Sequence, residues 1–330
     1  MRIRELGVVP GVLPTGPLNA ITDVPGVLVG QTTLATGELN TGVTAIVPPD
    51  FAAGLPAAVA VGNGYGKLVG STQVDELGVV ETPILLTGTL SVFRVADALL
   101  SWLLERNPTA TSLNPVVGET NDGYLSDIRS RPITPDHVFA ALDSASADLP
   151  AEGNVGAGTG TTALGFKAGI GTSSRRVGDG AAVEGGAASG GTVGVLVQAN
   201  FSGTLTVLGT PIKPPVEKPA PEGNSCMIVV ATDLPVDARQ LGRVARRAVF
   251  AMGRVGSDFS PGSGDYAIAF STNRAVPPIR DKALKDVFYA TTEATEEALL
   301  NSLTMATTVT GYNGNTQYAV PEELIRSTAR

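Results

Sequence analysis

A proline-rich segment runs directly into an apolar strand between residues 213 and 233, "KPPVEKPAPEGNSCMIVVATD". Prolines and charges keep the first half solvated, whereas the run of Cys, Met, Ile and Val predicts a buried strand. Only Gly223 and Asn224 separate the two halves, and Ser225 lies at the junction. We therefore predict a linker over residues 209–224, followed by a core strand that begins at a serine.

The rest of the chain alternates between strand and helix patterns. Strands are predicted in "GVLVGQTT", "NTGVTAIVPPD", "LPAAVAVG" and "DYAIAFST", and helices with one apolar face at about 92–107, 237–254 and 281–305. Asp233 is placed to cap the second of these helices, and "GETNDGYLSDIR" reads as a polar loop followed by a short strand. With 40 glycines and 5% aromatic residues, the composition favours tightly packed sheets covered by helices, in a single domain of 330 residues.

Charge and cysteine content exclude several function classes. A net charge of −8 argues against a nucleic-acid partner, which requires a basic surface. One cysteine excludes an internal disulfide framework and CxxC metal sites. No run is long and apolar enough for a signal peptide or a membrane span, so we expect a soluble cytoplasmic protein without a membrane partner.

The single histidine narrows the possible chemistry further. His137 lies in "TPDHVFAALDS", where Thr134 is typical of an N-cap and Pro135 of the first helical position. This pattern places His137 in the first turn of a surface helix. A Ser-His-Asp triad and a zinc site built from His and Cys are therefore not expected, and we predict no metal.

A glycine-rich motif resembles a nucleotide site only in part. Gly158, Gly160 and Ala163 form a G-x-G-x-x-A pattern, which requires an apolar strand before it and an acidic residue at a strand end about 20 residues later. The preceding "AEGNV" is not such a strand, and Asp179 lies within another glycine-rich stretch. We therefore predict that the protein uses no cofactor.

Ser225 has two interpretations. It is either a turn serine where a loop enters a strand, or a nucleophile whose proton is taken by a lysine, a carboxylate or a freed α-amine. An α-amine, with a pKa of about 7.7 to 8.0, becomes available if the chain is cut between Asn224 and Ser225. On this hypothesis the abrupt boundary is a processing site, and Cys226 points to the opposite face as a core residue.

Other polar residues occur in apolar surroundings where they can converge on a site. Asn200 ends a predicted strand, and its side-chain amide can donate to an oxyanion. Each other candidate also has an ordinary structural explanation: an Asx-turn for the residues at 119–122, a turn for those at 263–265, and a snorkelling side chain for the lysine. The candidates are Glu119, Asn121, Asp122, Lys167, Asn200, Ser263 and Asp265.

Several segments, in order along nearly the whole chain, resemble the DmpA family of L-aminopeptidases/D-amidase-esterases, which includes β-aminopeptidases and the nylon-oligomer hydrolase NylC. They are "GPLNAITDVPGVLVGQTT", "GNGYGK", "GETNDGYLSDIR", "GAGTGTTALGFKAGIGTSSR", "VGVLVQAN", "GNSCMIVVATDLPVDARQLGRVARRA", "GSGDYAIAFST" and "TGYNGNTQYAV". The resemblance implies a four-layer αββα sandwich like that of N-terminal-nucleophile hydrolases, self-cleavage into chains 1–224 and 225–330, and a homo-oligomer, with a tetramer of αβ units expected.

The same resemblance assigns roles to individual residues. Ser225 matches the nucleophile, Asn200 the oxyanion asparagine, and the cut falls at Asn224–Ser225. Ser263 and Asp265 match the pair that holds the amine and hydroxyl of the nucleophile. Matches to other positions are Glu119 as the carboxylate for the substrate's amino group, Tyr124 as a tyrosine lining that pocket, and Lys167 as the lysine of the nylon-hydrolase branch.

Two departures mix the branches of the family. Many aminopeptidase members have Glu at the position of Asp265 and Gly at that of Asn224, whereas the nylon-hydrolase branch has Thr at the position of Ser225 and an Asp pair at those of Ser263 and Asp265. We predict an autoprocessed serine aminopeptidase, amidase or esterase acting on small peptides, amides or esters with a free amino terminus. The alternatives are an endo-hydrolase of ω-amino-acid oligomers, an acyltransferase of the ornithine acetyltransferase kind, and a non-enzymatic scaffold.

Overall fold

The computed structural model describes residues 1–178, 190–214, 224–275 and 277–329. Asp179 and residues 215–223 of the predicted linker lie outside this part of the chain. The α-helices of the described residues are α1 (Ser71–Leu77), α2 (Val92–Arg106), α3 (Pro135–Asp143), α4 (Ala238–Arg254), α5 (Leu284–Thr304) and α6 (Glu322–Arg326). The strands are β1 (Leu28–Thr36), β2 (Leu39–Val47), β3 (Leu55–Gly64), β4 (Val79–Val80), β5 (Ile84–Gly88), β6 (Val116–Thr120), β7 (Thr162–Ala163), β8 (Phe166–Lys167), β9 (Ile170–Val177), β10 (Gly191–Asn200), β11 (Thr206–Val207), β12 (Thr210–Pro211), β13 (Ser225–Thr232), β14 (Gly264–Ser271), β15 (Val309–Thr310) and β16 (Thr316–Gln317).

Two sheets form the centre of the molecule. One has four strands in the order β1-β2-β5-β6, and the other has six in the order β4-β3-β14-β13-β10-β9. In the larger sheet β13 pairs parallel with β14 and antiparallel with β10, so it has a neighbour on both sides. All eight residues of β13 are buried, as expected for the uninterrupted apolar sequence of a central strand.

Three apolar clusters define four layers. Side chains of the two sheets pack against each other in one cluster, which includes Ile84 and Val116 of the smaller sheet and Val229 of the larger. A second cluster joins the larger sheet to α4 and α5, and a third joins the smaller sheet to α2 and α3. The layers therefore run helix, sheet, sheet, helix, and the predicted αββα sandwich is confirmed.

Several local predictions are confirmed. The helix predicted at about 92–107 is α2, which ends at Arg106, just before Asn107 and Pro108. His137 lies in the first turn of α3, behind Thr134 as N-cap and Pro135, and its ring Nδ1 lies 2.8 Å from Thr134 Oγ1. It therefore serves as a local cap, as its sequence context indicates. Among the described residues, no helix combines the length and apolarity that crossing a membrane requires.

Three local predictions are wrong or incomplete. Asp233 does not cap α4; Asp237 does, by accepting a hydrogen bond from Gln240 N at 2.7 Å, while Asp233 accepts one from Thr192 N at 2.7 Å. No strand follows the polar loop after β6, where a turn and a 3₁₀-helix (Ile128–Ser130) are found instead. The first part of the predicted linker is also ordered, because Thr210–Pro211 pairs with β11 as a short hairpin.

Candidate active site

Ser225 is the first residue of β13 and is only 2% exposed. In the register of the larger sheet it lies between Asn200, the last residue of β10, and Gly264, the first residue of β14. Its side chain shares a face with Met227, which packs between the two sheets, whereas Cys226 is buried against the helices. The candidate nucleophile thus faces the space between the sheets, and the prediction of Cys226 as a core residue is confirmed.

The peptide bond before Ser225 lies against its own hydroxyl. Ser225 Oγ donates a short hydrogen bond to the Asn224 carbonyl oxygen, and Gly264 N donates to the same oxygen at 3.3 Å. The hydroxyl, the carbonyl and a backbone donor therefore meet at one point. Sequence reasoning anticipated a backbone N–H at this position but did not identify Gly264.

Asn200 is buried and oriented beside this point. Its Oδ1 accepts a hydrogen bond from Thr162 N at 2.9 Å, which fixes the oxygen end of the amide toward β7 and directs the NH₂ end away from it. Asn200 and Ser225 are cross-strand neighbours, so their side chains project from the same face of the sheet. The structure thus brings together the two residues that the sequence separates by 25 positions.

Ser263 and Asp265 flank Gly264 and interact directly. Ser263 Oγ donates to Asp265 Oδ1 at 2.7 Å, and Asn63 Nδ2 donates to Asp265 Oδ2 at 3.0 Å. Burial raises the pKa of the Asp265 carboxyl, and the two hydrogen bonds oppose that shift. Asn63, near the end of β3 and paired with Asp265 in the ladder, is a supporting residue that sequence reasoning missed.

Glu119 is the fourth residue of β6, a strand of the smaller sheet that approaches β13 of the larger sheet. Gly118 makes the close approach possible, because a Cβ there would collide with the Met227 side chain. Lys67 N donates to Glu119 Oε1 at 3.0 Å, and Oε2 is buried without a hydrogen-bond partner in the described chain. Burial raises the pKa of the carboxyl, and the charge of Lys67 opposes the shift.

Tyr266 is a second residue that sequence reasoning missed. It follows Asp265 on β14 and is 6% exposed. A Cβ added to Gly66 would lie 2.9 Å from Glu119 Oε1 and 3.2 Å from the Tyr266 hydroxyl, so both groups border the same small volume. The pKa of Tyr266 is raised by burial and by the charges of Glu119 and Asp265. The only available signal was its position immediately after Asp265.

Lys167 and Asp122 form a second buried polar group, beside the hairpin that contacts Asn200. Lys167 is fully buried; its Nζ donates to the carbonyl oxygens of Gly158, at 3.2 Å, and of Ala168. Burial lowers the pKa of Lys167 to about 7 and raises that of Asp122 to about 7, and each charge opposes the shift of the other. Because Lys167 pairs with Thr162 in the β7–β8 hairpin, the lysine and the residue that orients Asn200 belong to one unit.

The glycine-rich segment around Gly158 has a structural use that its sequence pattern did not reveal. Gly156–Gly158 is a short 3₁₀-helix whose last carbonyl accepts from Lys167. Gly160 packs directly against the backbone of Asn40, where a Cβ would not fit. The motif that partly resembles a nucleotide fingerprint therefore packs beneath the candidate site.

Tyr124 is half-buried, and its carbonyl accepts a hydrogen bond from Asn315 Nδ2 at 2.9 Å. This contact ties the residue to the C-terminal tail and does not by itself place its ring beside Glu119. Asn121 accepts a hydrogen bond from Gly123 N at 2.9 Å, which is the Asx-turn that its sequence context suggested. Within the described part of the chain, no group of three or more His, Cys, Asp or Glu side chains is arranged to hold a metal ion.

The chain is similar to proteins of known structure and activity over nearly its whole length. It is 40% identical to the β-peptidyl aminopeptidase BapA of Sphingosinicella xenopeptidilytica, in an alignment that covers 98% of this chain and 89% of that protein. The solved structure of the PH0078 protein from Pyrococcus horikoshii has a TM-score of 0.91 and 40% identity, with all of both chains covered.

A further solved structure connects the fold to a reaction class. The L-aminopeptidase D-Ala-esterase/amidase of Ochrobactrum anthropi, described as a prototype of the serine aminopeptidases and a new variant of the N-terminal-nucleophile hydrolase fold, has a TM-score of 0.89. Its sequence is 34% identical, and 99% of this chain and 97% of that chain are covered.

The fold and the candidate site define a serine aminopeptidase with an N-terminal-nucleophile hydrolase architecture. More particularly, the chain belongs to peptidase family S58, whose model matches residues 19–317. The predicted resemblance to the DmpA group is confirmed by these comparisons.

Proposed function

We propose that the chain cuts itself between Asn224 and Ser225, and that the freed Ser225 then hydrolyses small peptides, amides or esters with a free amino terminus. The observation that carries the proposal is the hydrogen bond from Ser225 Oγ to the Asn224 carbonyl, on an oxygen that Gly264 N also contacts at 3.3 Å. This contact between a hydroxyl, a carbonyl oxygen and a backbone N–H supports the proposal.

In the cleavage step, Ser225 Oγ attacks the Asn224 carbonyl carbon, and the C–N bond breaks as the nitrogen takes a proton. The product is an ester between Asn224 and the Ser225 side chain, which water then hydrolyses to a carboxylate and a free hydroxyl. Gly264 N and the Asn200 side chain hold the oxyanion. The hydrogen-bonded pair of Ser263 and Asp265 accepts the hydroxyl proton in this step.

After the cut, the same components serve an external substrate. Once the Asn224 carbonyl has moved away, Gly264 N is free to donate to the carbonyl of a substrate at the same point. The new α-amine of Ser225 takes the proton of the hydroxyl and returns it to the leaving amine. Ser263 and Asp265 orient the amine, and Lys167 supports the hairpin that orients Asn200.

Glu119 gives the site its preference for a free amino terminus. A buried carboxylate with an unpartnered oxygen is suited to an ammonium group, because a charge-assisted hydrogen bond would satisfy that oxygen. The curated relative named above is a β-peptidyl aminopeptidase, which supports β-amino-acid amides as substrates to test first. Tyr124 remains a predicted lining residue, and a cytoplasmic location and a tetramer of αβ units remain predictions.

Mass spectrometry of the purified protein under denaturing conditions tests the self-cleavage directly. We expect two species, with the masses of residues 1–224 and 225–330, and one intact species for Ser225→Ala. A wild-type chain that stays intact for days, with the same mass pattern as Ser225→Ala, would contradict the proposal. Equal hydrolysis of free and N-acetylated β-alanyl p-nitroanilide would favour the endo-hydrolase alternative.

A further inference from the structure

Lys67 contacts the carboxylate that the proposed function assigns to the substrate. It follows the glycine-rich turn after β3, and its ammonium nitrogen lies 3.7 Å from Glu119 Oε1. The same nitrogen donates to Thr89 Oγ1 at 2.7 Å. A positive group of the chain itself therefore accompanies Glu119.

The two partners are held very differently. The Glu119 side chain is 2% exposed, whereas that of Lys67 is 40% exposed. The ammonium–carboxylate distance of 3.7 Å is too long for a hydrogen bond, so the neutral Thr89 hydroxyl is the close partner of the lysine nitrogen. Lys67 can turn toward solvent, because more than a third of its side chain is already exposed. The Glu119 side chain is buried and has no such route to solvent.

The second oxygen of Glu119 shows that the pairing is incomplete. Oε2 is buried and has no hydrogen-bond partner in the described chain. A buried carboxylate oxygen without a donor is costly, and an incoming ammonium group can supply the missing donors. The Tyr266 hydroxyl and Glu119 Oε1 both lie close to Gly66, so a second oxygen accompanies the carboxylate there.

We propose that Lys67 is a resident counter-ion of the amino-binding site, which neutralises Glu119 while the site is empty and gives way to the ammonium group of the substrate. This inference rests on the proposed role of Glu119. Lys67 does not touch the reacting atoms and is therefore a positioning residue. Its effect is to keep the carboxylate ionised, and thus ready for a cation, in a buried position that would otherwise favour the neutral acid.

The groups that face Glu119 determine the sign of the effect. Lys67 comes from the segment between β3 and α1, Thr89 from the end of β5, Asp122 from the loop after β6, and Tyr266 from β14. Burial raises the pKa of Glu119, Lys67 lowers it, and Asp122 and Tyr266 bring no positive charge. Removal of Lys67 therefore raises the pKa of Glu119, so the carboxylate takes up a proton at higher pH. Once the carboxylate is ionised, however, the substrate ammonium no longer competes with Lys67 for it.

Replacement of Lys67 by methionine, which retains length without charge, tests the inference. We would measure kcat/KM and KM for β-alanyl p-nitroanilide from pH 5.5 to 9.5 at constant ionic strength, with self-cleavage of each variant verified by mass. In Lys67→Met the acid limb of kcat/KM should move up by about one pH unit, so that activity at pH 6 falls about tenfold relative to wild type. At pH 9 the KM should fall severalfold below that of wild type, so the two profiles cross.

Lys67→Arg should restore the wild-type acid limb, and Lys285→Met, an equivalent change on the surface of α5, should leave the profile unchanged. Parallel wild-type and Lys67→Met profiles, or a loss of equal size at every pH, would overturn the inference. A loss confined to substrates that carry a carboxylate would also overturn it, since Lys67 would then bind substrate itself. If Lys67→Met does not fold, Lys67→Gln provides the same test.

Glu119→Gln separates this inference from the proposed function. If that variant hydrolyses free and N-acetylated β-alanyl p-nitroanilide as wild type does, Glu119 is not the amino-binding group and both proposals fail. If Glu119→Gln loses activity on the free amine only, while Lys67→Met has a wild-type profile, the counter-ion inference alone fails.

Discussion

Asn200 and Ser225 form the last cross-strand pair of the β10–β13 ladder, so the candidate oxyanion donor and the candidate nucleophile project from the same face at the same end of one sheet. A ladder fixes this relationship more firmly than a loop does, because each strand is held by backbone hydrogen bonds along its length. Gly264, on the other side of Ser225, completes the arrangement with a backbone donor. The site is thus built on three adjacent strand ends.

Replacement of Asn200 by alanine should remove one of the two oxyanion donors. Loss of such a donor typically costs about 2.7–4 kcal/mol in the transition state, so kcat should fall about 10²- to 10³-fold with little change in KM. Self-cleavage, which uses the same donor, should slow in a time course of the two chain masses. Asn154→Ala, a matched change at a residue that bonds to Thr307, should leave both rates near wild type. An unchanged kcat in Asn200→Ala would show that the asparagine is not an oxyanion donor.

Asp265→Asn should keep the shape of the site and its contact with Asn63 while removing the charge that accepts from Ser263. We expect kcat to fall about 10²-fold, at the lower end of general acid–base effects. Because burial raises the pKa of Asp265, wild-type activity should decline as the pH falls through that raised value, and the variant should lack this acid limb. The pH dependence of kcat measures both effects, with Asp286→Asn on the surface of α5 as the control. An acid limb that persists unchanged would assign it to another group, such as Glu119.

Much of the fold and the identities of several candidate site residues could be predicted from the sequence. The uninterrupted apolar run after Ser225 indicated a core strand, and the one-sided apolar patterns of α2 and α4 indicated helices that cover the sheets, whereas the four-layer order came from the family resemblance. The candidate site residues share a simple signal, which is a polar residue at the end of an apolar strand. That signal identifies Asn200, Ser225, Glu119 and Asp265, each of which is the first, second, last or next-to-last residue of a strand.

The remaining features depend on contacts across the fold. Asn63 lies near the end of β3 and Lys67 follows the glycine-rich turn after that strand, and their partners Asp265 and Glu119 are more than 50 positions away along the chain. Asp233 and Asp237 are both plausible caps for α4, and only the course of the chain after β13 decides between them. In the sequence, Tyr266 resembles an ordinary strand residue, and its proximity to Glu119 depends on how the smaller sheet packs against the larger one.

Gly66→Ala should separate substrate binding from self-cleavage. The added Cβ would lie 2.9 Å from Glu119 Oε1 and 3.1 Å from the Tyr266 ring, so it would press on the amino-binding volume. We expect KM for β-alanyl p-nitroanilide to rise about tenfold, equivalent to about 1.4 kcal/mol of binding, while the two chain masses appear at the wild-type rate. Gly242→Ala, in α4, is the matched control, because its Cβ would lie at an ordinary contact distance of 3.7 Å from the Ala58 side chain. A rise in KM shared by both variants, or a loss of cleavage in Gly66→Ala, would contradict this division.

Lys167→Met should change how stability depends on pH. Burial lowers the pKa of Lys167 to about 7, well below its ordinary value of 10.5, so the group is neutral in the folded chain and charged in the unfolded chain between those values. Its contribution to the free energy of unfolding is therefore greatest above pH 10.5 and is lost as the pH falls through about 7. Asp122 has the opposite sign: its pKa is raised from 3.8 to about 7, so its contribution is lost as the pH rises toward 7.

Without the lysine, only the Asp122 contribution remains. Between pH 7 and 9 the free energy of unfolding of Lys167→Met should fall behind that of wild type by about 1.4 kcal/mol for each pH unit, and below pH 6 the two dependences on pH should run parallel. Urea unfolding at a series of pH values measures the difference, with Lys282→Met as an exposed control. Should Lys167→Met fail to fold, Asp122→Asn provides the complementary test, because it should remove the decline in stability on the acid side of pH 7. Curves that stay parallel to wild type from pH 5 to 9 in both variants would show that neither group changes its proton occupancy on folding.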